Sequence, residues 1–96
     1  MRPSDILNAK RPELRRLIAS YGVLQPRVFG SVLIGKDTEA SDLDLLVEPS
    51  PSTTLFTLAG LQDAAEALLG FPVSILTPMS LPSSFRAQVL AEAQAL

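Results

Sequence analysis

A chain of 96 residues supports one domain with one core, residues 1–96, because at this size only roughly 60 to 65% of the unfolded surface is buried on folding. It contains no cysteine and no histidine, which excludes disulfides, thiolate zinc sites, Cys nucleophiles and imidazole acid-base chemistry; any metal must be held by oxygen, as Mg²⁺, Mn²⁺ or Ca²⁺ would be. The net charge of -2 argues against a general nucleic-acid binder, and 47% hydrophobic against 19% charged residues is apolar for a domain of this size and points to a partner surface.

Leu14, Leu17, Ile18 and Tyr21 recur at helical spacing, with Pro12 suited to a first helical position and Gly22 as the stop, so a helix is expected over 11–21. A separate short turn of helix is expected from Ser4, with Pro12 breaking the two apart. Val23 to Phe29 reads as a first strand in which Pro26 implies an edge position or a bulge. A second strand follows at Leu43, Leu45, Leu46 and Val47, apolar on both faces as a buried strand would be.

After a Pro- and Ser-rich loop, a second helix is expected over Leu55 to Leu69. It carries Leu58, Leu61, Ala65 and Leu68 on one face, and Phe56, Ala59, Ala64 and Ala67 on another side, poor in charge and suited to contact. Gly70 ends it, Pro72 to Leu76 gives a third strand, and a final helix capped at Ser83 or Ser84 places Phe85, Val89, Ala93 and Leu96 on one face. The order helix, strand, strand, helix, strand, helix predicts a small α/β (α+β) domain, a mixed sheet flanked by helices.

The chemistry-bearing stretch runs from Gly30 to Val47. Asp42 and Asp44 stand at i and i+2 where the second strand begins, so strand alternation aims both carboxylates at one face. Two acids held together repel unless a cation lies between them, and Mg²⁺ bound by one or two carboxylates plus phosphate oxygens resolves that. Gly30 lets a backbone approach a ligand closely, and the Ser31 hydroxyl and following amides can donate to phosphate. Either element alone equally suits an ordinary turn.

Together, Gly-Ser closing one strand, ten intervening residues and Asp-x-Asp opening the next resemble the signature of the nucleotidyltransferase superfamily that includes polymerase beta, and especially its minimal nucleotidyltransferases. The resemblance extends over RVFGS, SDLDLLVEP, the helix ending in LLG, FPVSILTP and the closing helix. It implies that Gly30 and Ser31 contact the triphosphate of ATP, that Asp42 and Asp44 are catalytic Mg²⁺ ligands, and that AMP is transferred to a hydroxyl with pyrophosphate leaving. Domains of this size in the family resemble the antitoxins of toxin-antitoxin pairs, which adenylylate a tyrosine of a HEPN-type RNase toxin. An enzyme acting on small molecules is a weaker reading, since those relatives carry an additional substrate domain.

The pattern is broken at three places. Active relatives carry a third carboxylate on the third strand, where this chain has Ser74, whose hydroxyl supplies no negative charge and is too weakly basic to serve as a general base. Ile34 replaces a usual Arg and Lys36 a frequent Glu. Glu48 lies roughly 13 Å along the strand from Asp44, too far to share a metal, while Asp37 and Glu39 in the connection are candidate substitutes. A module that neutralises its partner by binding without catalysis is therefore the competing expectation.

Charge is unevenly spread. Residues 1–36 hold seven Lys or Arg against Asp5 and Glu13, a net +5, and residues 37–96 hold Arg86 against eight acids, a net -7. The basic portion is expected either to meet phosphates or simply to complement the acidic portion. With no long apolar run and no signal-peptide pattern, a cytoplasmic protein without membrane contact is expected, and its apolar surface suits homo- or hetero-oligomers.

Overall fold

The apolar stripe of the first helix does not stop at Pro12. The structure, a computed structural model describing residues 1–96, has one unbroken helix, α1, from Pro3 to Ser20. Pro3, Leu7, Leu14 and Ile18 are all buried along one side of it, on both sides of Pro12. Pro12 removes a main-chain donor and crowds the carbonyl one turn back, a cost of about 3 kcal/mol in a helix interior. Burying Leu7 and Leu14 contributes about 1.5–3 kcal/mol each and outweighs it, so the expected break does not occur.

Strand β1, Leu24–Phe29, pairs antiparallel with β2, Leu43–Glu48. Leu24 faces Glu48 and Arg27 faces Leu46, so Gln25 and Pro26 together oppose Val47 in a bulge, with Gln25 at φ +48°. The bulge accommodates a residue that cannot donate to the ladder. It is the correct one of the two expectations for Pro26, because β1 is not at the sheet edge.

Helix α2, Leu55–Leu69, has the boundaries its sequence predicts. Thr54 Oγ1 accepts from the Thr57 amide at 3.2 Å to open it, and Gly70, at φ +83°, closes it in a conformation that a Cβ disfavours. Leu61, Ala65 and Leu69 are its buried residues. Strand β3, Val73–Leu76, then runs parallel to β2, and the Val73 amide donates to Glu66 Oε2 at 2.8 Å, tying the strand to the helix before it.

A 3₁₀ turn at Pro78–Ser80 leads to a short helix, α3, Arg86–Glu92. Here the expectation of a helix running to Leu96, capped at Ser83 or Ser84, is corrected. Phe85 is the residue before the first turn, Ala93 turns to an extended conformation, and Gln94–Ala95 form a fourth strand, β4, antiparallel to β1. The Leu96 amide donates to the Pro26 carbonyl at 2.9 Å, and the Arg11 and Arg15 guanidiniums both donate to the Leu96 main-chain oxygen. Strand pairing thereby seats the Leu96 side chain in the core, which a helical continuation would not.

The sheet order is β3-β2-β1-β4, mixed in direction. α1 packs on α2 and β1, and α2 on β3, and their buried side chains join Val28, Leu43, Leu45, Val47 and Val73 in one core. The opposite face of β2 presents Asp44, Leu46 and Glu48 by alternation. There Leu46 is fully buried although it lies outside that core, and the 3₁₀ turn packs against β2. No helix is long and apolar enough to cross a membrane.

Candidate active site

Leu43 and Leu45 are fully buried beneath the helices, so the alternate residues Asp42 and Asp44 lie on the other side of the sheet. Asp42 is exposed at the entry to β2, and Asp44 is half-buried within it. Register supplies Asp44 with a neighbour on each flank. Phe29 is paired with it across the antiparallel ladder and Ser74 across the parallel one.

Gly30 follows Phe29 at φ +79°. A Cβ built there would overlap Asp44 Oδ2 and stand 3.2 Å from its Cγ, so the carboxylate rests on the bare Cα of the glycine. The chain then makes a helical turn in which the amides of Ile34, Gly35 and Lys36 donate back to the carbonyls of Gly30, Val32 and Ser31 at 3.0–3.4 Å. The amides of Ser31, Val32 and Leu33 have no protein acceptor. Three consecutive free N–H groups at the start of a turn make a concavity that suits an anion, and the Ser31 hydroxyl adds a donor beside them.

Burial pushes the Asp44 carboxyl above its ordinary range, and the charge of Asp42 pushes it further in the same direction. The two acids are thus close enough to repel, on the same strand end as the free amides. The residues fit Mg²⁺: the donor set is oxygen only, its charges await a cation, and one or two carboxylates completed by phosphate oxygens and water is a common Mg²⁺ environment. The protein alone supplies no cluster of three His, Cys, Asp or Glu residues for a metal.

None of the other candidate acids joins them. Ser74 stands in the expected place beside Asp44, half-buried, with its hydroxyl making no hydrogen bond within the protein. Glu48 is engaged by Arg27 Nη2 at 2.7 Å at the far end of the strand. Glu39 is exposed and 3.3 Å from the Met1 amine. Asp37 is buried and accepts from the Ser4 amide at 2.9 Å at the start of α1. That hydrogen bond is the main influence holding its carboxyl below the usual range, against the opposing effect of burial.

The basic residues are also committed elsewhere. Arg11 and Arg15 hold Leu96, Lys10 donates to the Leu68 carbonyl, Arg16 pairs with Glu13, and Arg27 with Glu48. Only Lys36, exposed at the end of the turn, leaves its side chain without a protein partner close to the site. These contacts engage most of the named cations within the fold, and one of them, Arg27 to Glu48, joins the basic portion to the acidic one. A cavity of about 380 Å³ lies on the reverse of the turn, between α1 and β4, lined by Arg2, Asn8, Arg11, Val32, Gly35 and Gln94 among others, and includes neither aspartate.

Alternation alone predicts that Asp42 and Asp44 share a face, and the family resemblance joins them to Gly30 and Ser31; the structure sets Asp44 against Gly30 with Asp42 beside it. Neither signal carried a sign of Phe29, whose position beside Asp44 comes from cross-strand register, or of the structural use of Asp37, whose partner is 33 residues away.

A family model described as the nucleotidyltransferase domain matches residues 11–96. Protein adenylyltransferase MntA of Thermococcus cleftensis is 38% identical over 88 residues, spanning 92% of this chain and 86% of that protein. A protein of Methanocaldococcus jannaschii assigned as a protein adenylyltransferase is 30% identical over 87 residues, or 91% of this chain and 94% of that one. Among solved structures, one assigned as a minimal nucleotidyltransferase superposes with a TM-score of 0.86 at 43% identity, covering 97% of this chain and 95% of that one. A toxin-antitoxin structure with AMP-PNP shares the fold, with a TM-score of 0.75 at 17% identity over 88% of this chain and 69% of that one.

Proposed function

The chain belongs to the nucleotidyltransferase domain family, and on that premise we propose that it transfers AMP from ATP to a hydroxyl of a partner protein, as the antitoxin of a pair whose toxin is a HEPN-type RNase. The observation that carries this reading is the Asp44 carboxylate set against Gly30, with Asp42 beside it, at the strand end where the free amides of residues 31–33 begin. The adenylyltransferase relatives favour a protein as the acceptor, and the toxin-antitoxin structure of the same fold favours a toxin.

In this mechanism the Ser31 hydroxyl and the amides of residues 31–33 hold the phosphates, and Gly30 keeps the backbone close to them. Asp42 and Asp44 would hold Mg²⁺, which when bound neutralises the triphosphate and makes the α-phosphorus more electrophilic. The acceptor oxygen attacks in line, its bond to the α-phosphorus forms, the bond from that phosphorus to the α,β-bridging oxygen breaks, and pyrophosphate departs. The acceptor proton leaves to water. The protein contributes orientation and charge placement, as in other phosphoryl transfers.

The second reading is a module that retains the fold, and its affinity for ATP, but neutralises its partner by contact alone. Ser74 beside Asp44, with no other acid at hand, is the observation that favours it. Incubating the domain with labelled ATP, Mg²⁺ and the product of the neighbouring gene separates the two. Label on the partner that disappears with Asp42→Asn is the expected result for the enzyme. A stable complex that never takes up label would establish the binding module instead.

A further inference from the structure

Asp37 is a fully covered carboxylate that the proposed chemistry leaves unused. Its residue is 3% exposed and its side chain not at all. Oδ2 accepts the Ser4 amide at 2.9 Å, and the Arg2 guanidinium lies 3.8 Å from Oδ1. The buried Ser4 hydroxyl and Asp37 Oδ1 are both without a hydrogen-bond partner. Arg2 reaches the same stretch of chain a second time, at the Gly35 carbonyl, 3.4 Å away.

An ionised carboxylate taken out of water is costly unless it is held by donors and opposite charge. Here the donor is the Ser4 amide in the first turn of an 18-residue helix, whose dipole favours an anion at that end, and Arg2 supplies the opposite charge. The anchor grips the connection between β1 and β2 near its middle, six residues after Ser31 and five before Asp42. A connection pinned only at its ends would sample many paths, and fixing its centre leaves two short spans with few.

We propose that Asp37 is a positioning residue: by locking the connection onto the start of α1, it fixes the Ser31 turn and the Asp42 strand entry relative to each other, in the arrangement that Mg²⁺ and a nucleoside triphosphate require. The role rests on the nucleotide reading above. The side chain touches neither ligand and acts through the backbone on both sides of it.

The test compares wild type, Asp37→Asn and Asp37→Ala at a temperature where circular dichroism shows all three folded, using Mg²⁺ and AMP-PNP as the probe in titration calorimetry. Amide hydrogen exchange of residues 31–41 is read beside that of β2. The expected result is affinity weakened about tenfold in Asp37→Ala and by a smaller factor in Asp37→Asn, which keeps an oxygen for the Ser4 amide. Exchange should quicken in residues 31–41 and stay unchanged in β2. Normal wild-type binding with equal affinity in Asp37→Ala overturns the positioning role alone, as does exchange that quickens equally in β2, the mark of a purely stabilising residue. Wild type that binds no Mg²⁺-AMP-PNP overturns the nucleotide reading and this role with it.

Discussion

At Gly30 the site depends on the absence of a methyl group. Gly30→Ala meets both a positive φ and the Asp44 carboxylate, so the variant is expected to lose about 1–3 kcal/mol of stability in urea denaturation and to bind Mg²⁺ more weakly, because Asp44 is the group that must move. Asp44 itself carries an opposite sign. Its raised pKa means that the folded state holds the proton more tightly than the unfolded chain, so at neutral pH the ionised side chain lowers stability, and the penalty fades as pH falls through the folded and then the unfolded value, about 4. Asp44→Asn is therefore expected to raise the Tm of the metal-free domain at pH 7, with the difference from wild type shrinking in melts taken toward pH 4. Asp37, with a lowered pKa, contributes stability above about pH 4 that is lost below it. The two acids thus act oppositely on the fold: Asp37 in the connection stabilises it, and Asp44 within β2 lowers its stability at neutral pH.

Among the elements, those legible in the sequence were the ones whose signals are local. α2 has its apolar spacing, its Thr54 cap and its Gly70 stop within the helix itself, and the strand phase that aims Asp42 and Asp44 together needs only alternation. α1 and the end of the chain were misjudged because distant contacts decide them: the sheet and α2 hold both halves of α1 in place across Pro12, and pairing with β1 draws Gln94 and Ala95 out of the expected helix. It follows that Pro12 is a cost that the packing offsets. Pro12→Ala, at an exposed position, restores a donor to the helix and is expected to stabilise the domain by about 1–3 kcal/mol in denaturant titration, without altering nucleotide binding.

For the molecule as a whole, the two faces of the sheet divide stability from chemistry. One is closed by α1 and α2 over the core, and the other presents Asp44 between Phe29 and Ser74. The apolar composition is expressed at the surface as Leu55, Phe56 and Met79, each more than 80% exposed, and Phe56 lies on the side of α2 that the sequence marked for contact. In the proposed function, two carboxylates and the Gly-Ser turn suffice for a metal-dependent nucleotide site. Equilibrium binding of AMP-PNP, with and without Mg²⁺, to wild type, Asp42→Asn and Ser74→Asp tests it most directly. Wild-type binding is expected to require Mg²⁺, to weaken at least about tenfold in Asp42→Asn and to tighten in Ser74→Asp. Wild-type affinity that is the same without Mg²⁺, or is untouched by Asp42→Asn, would contradict it.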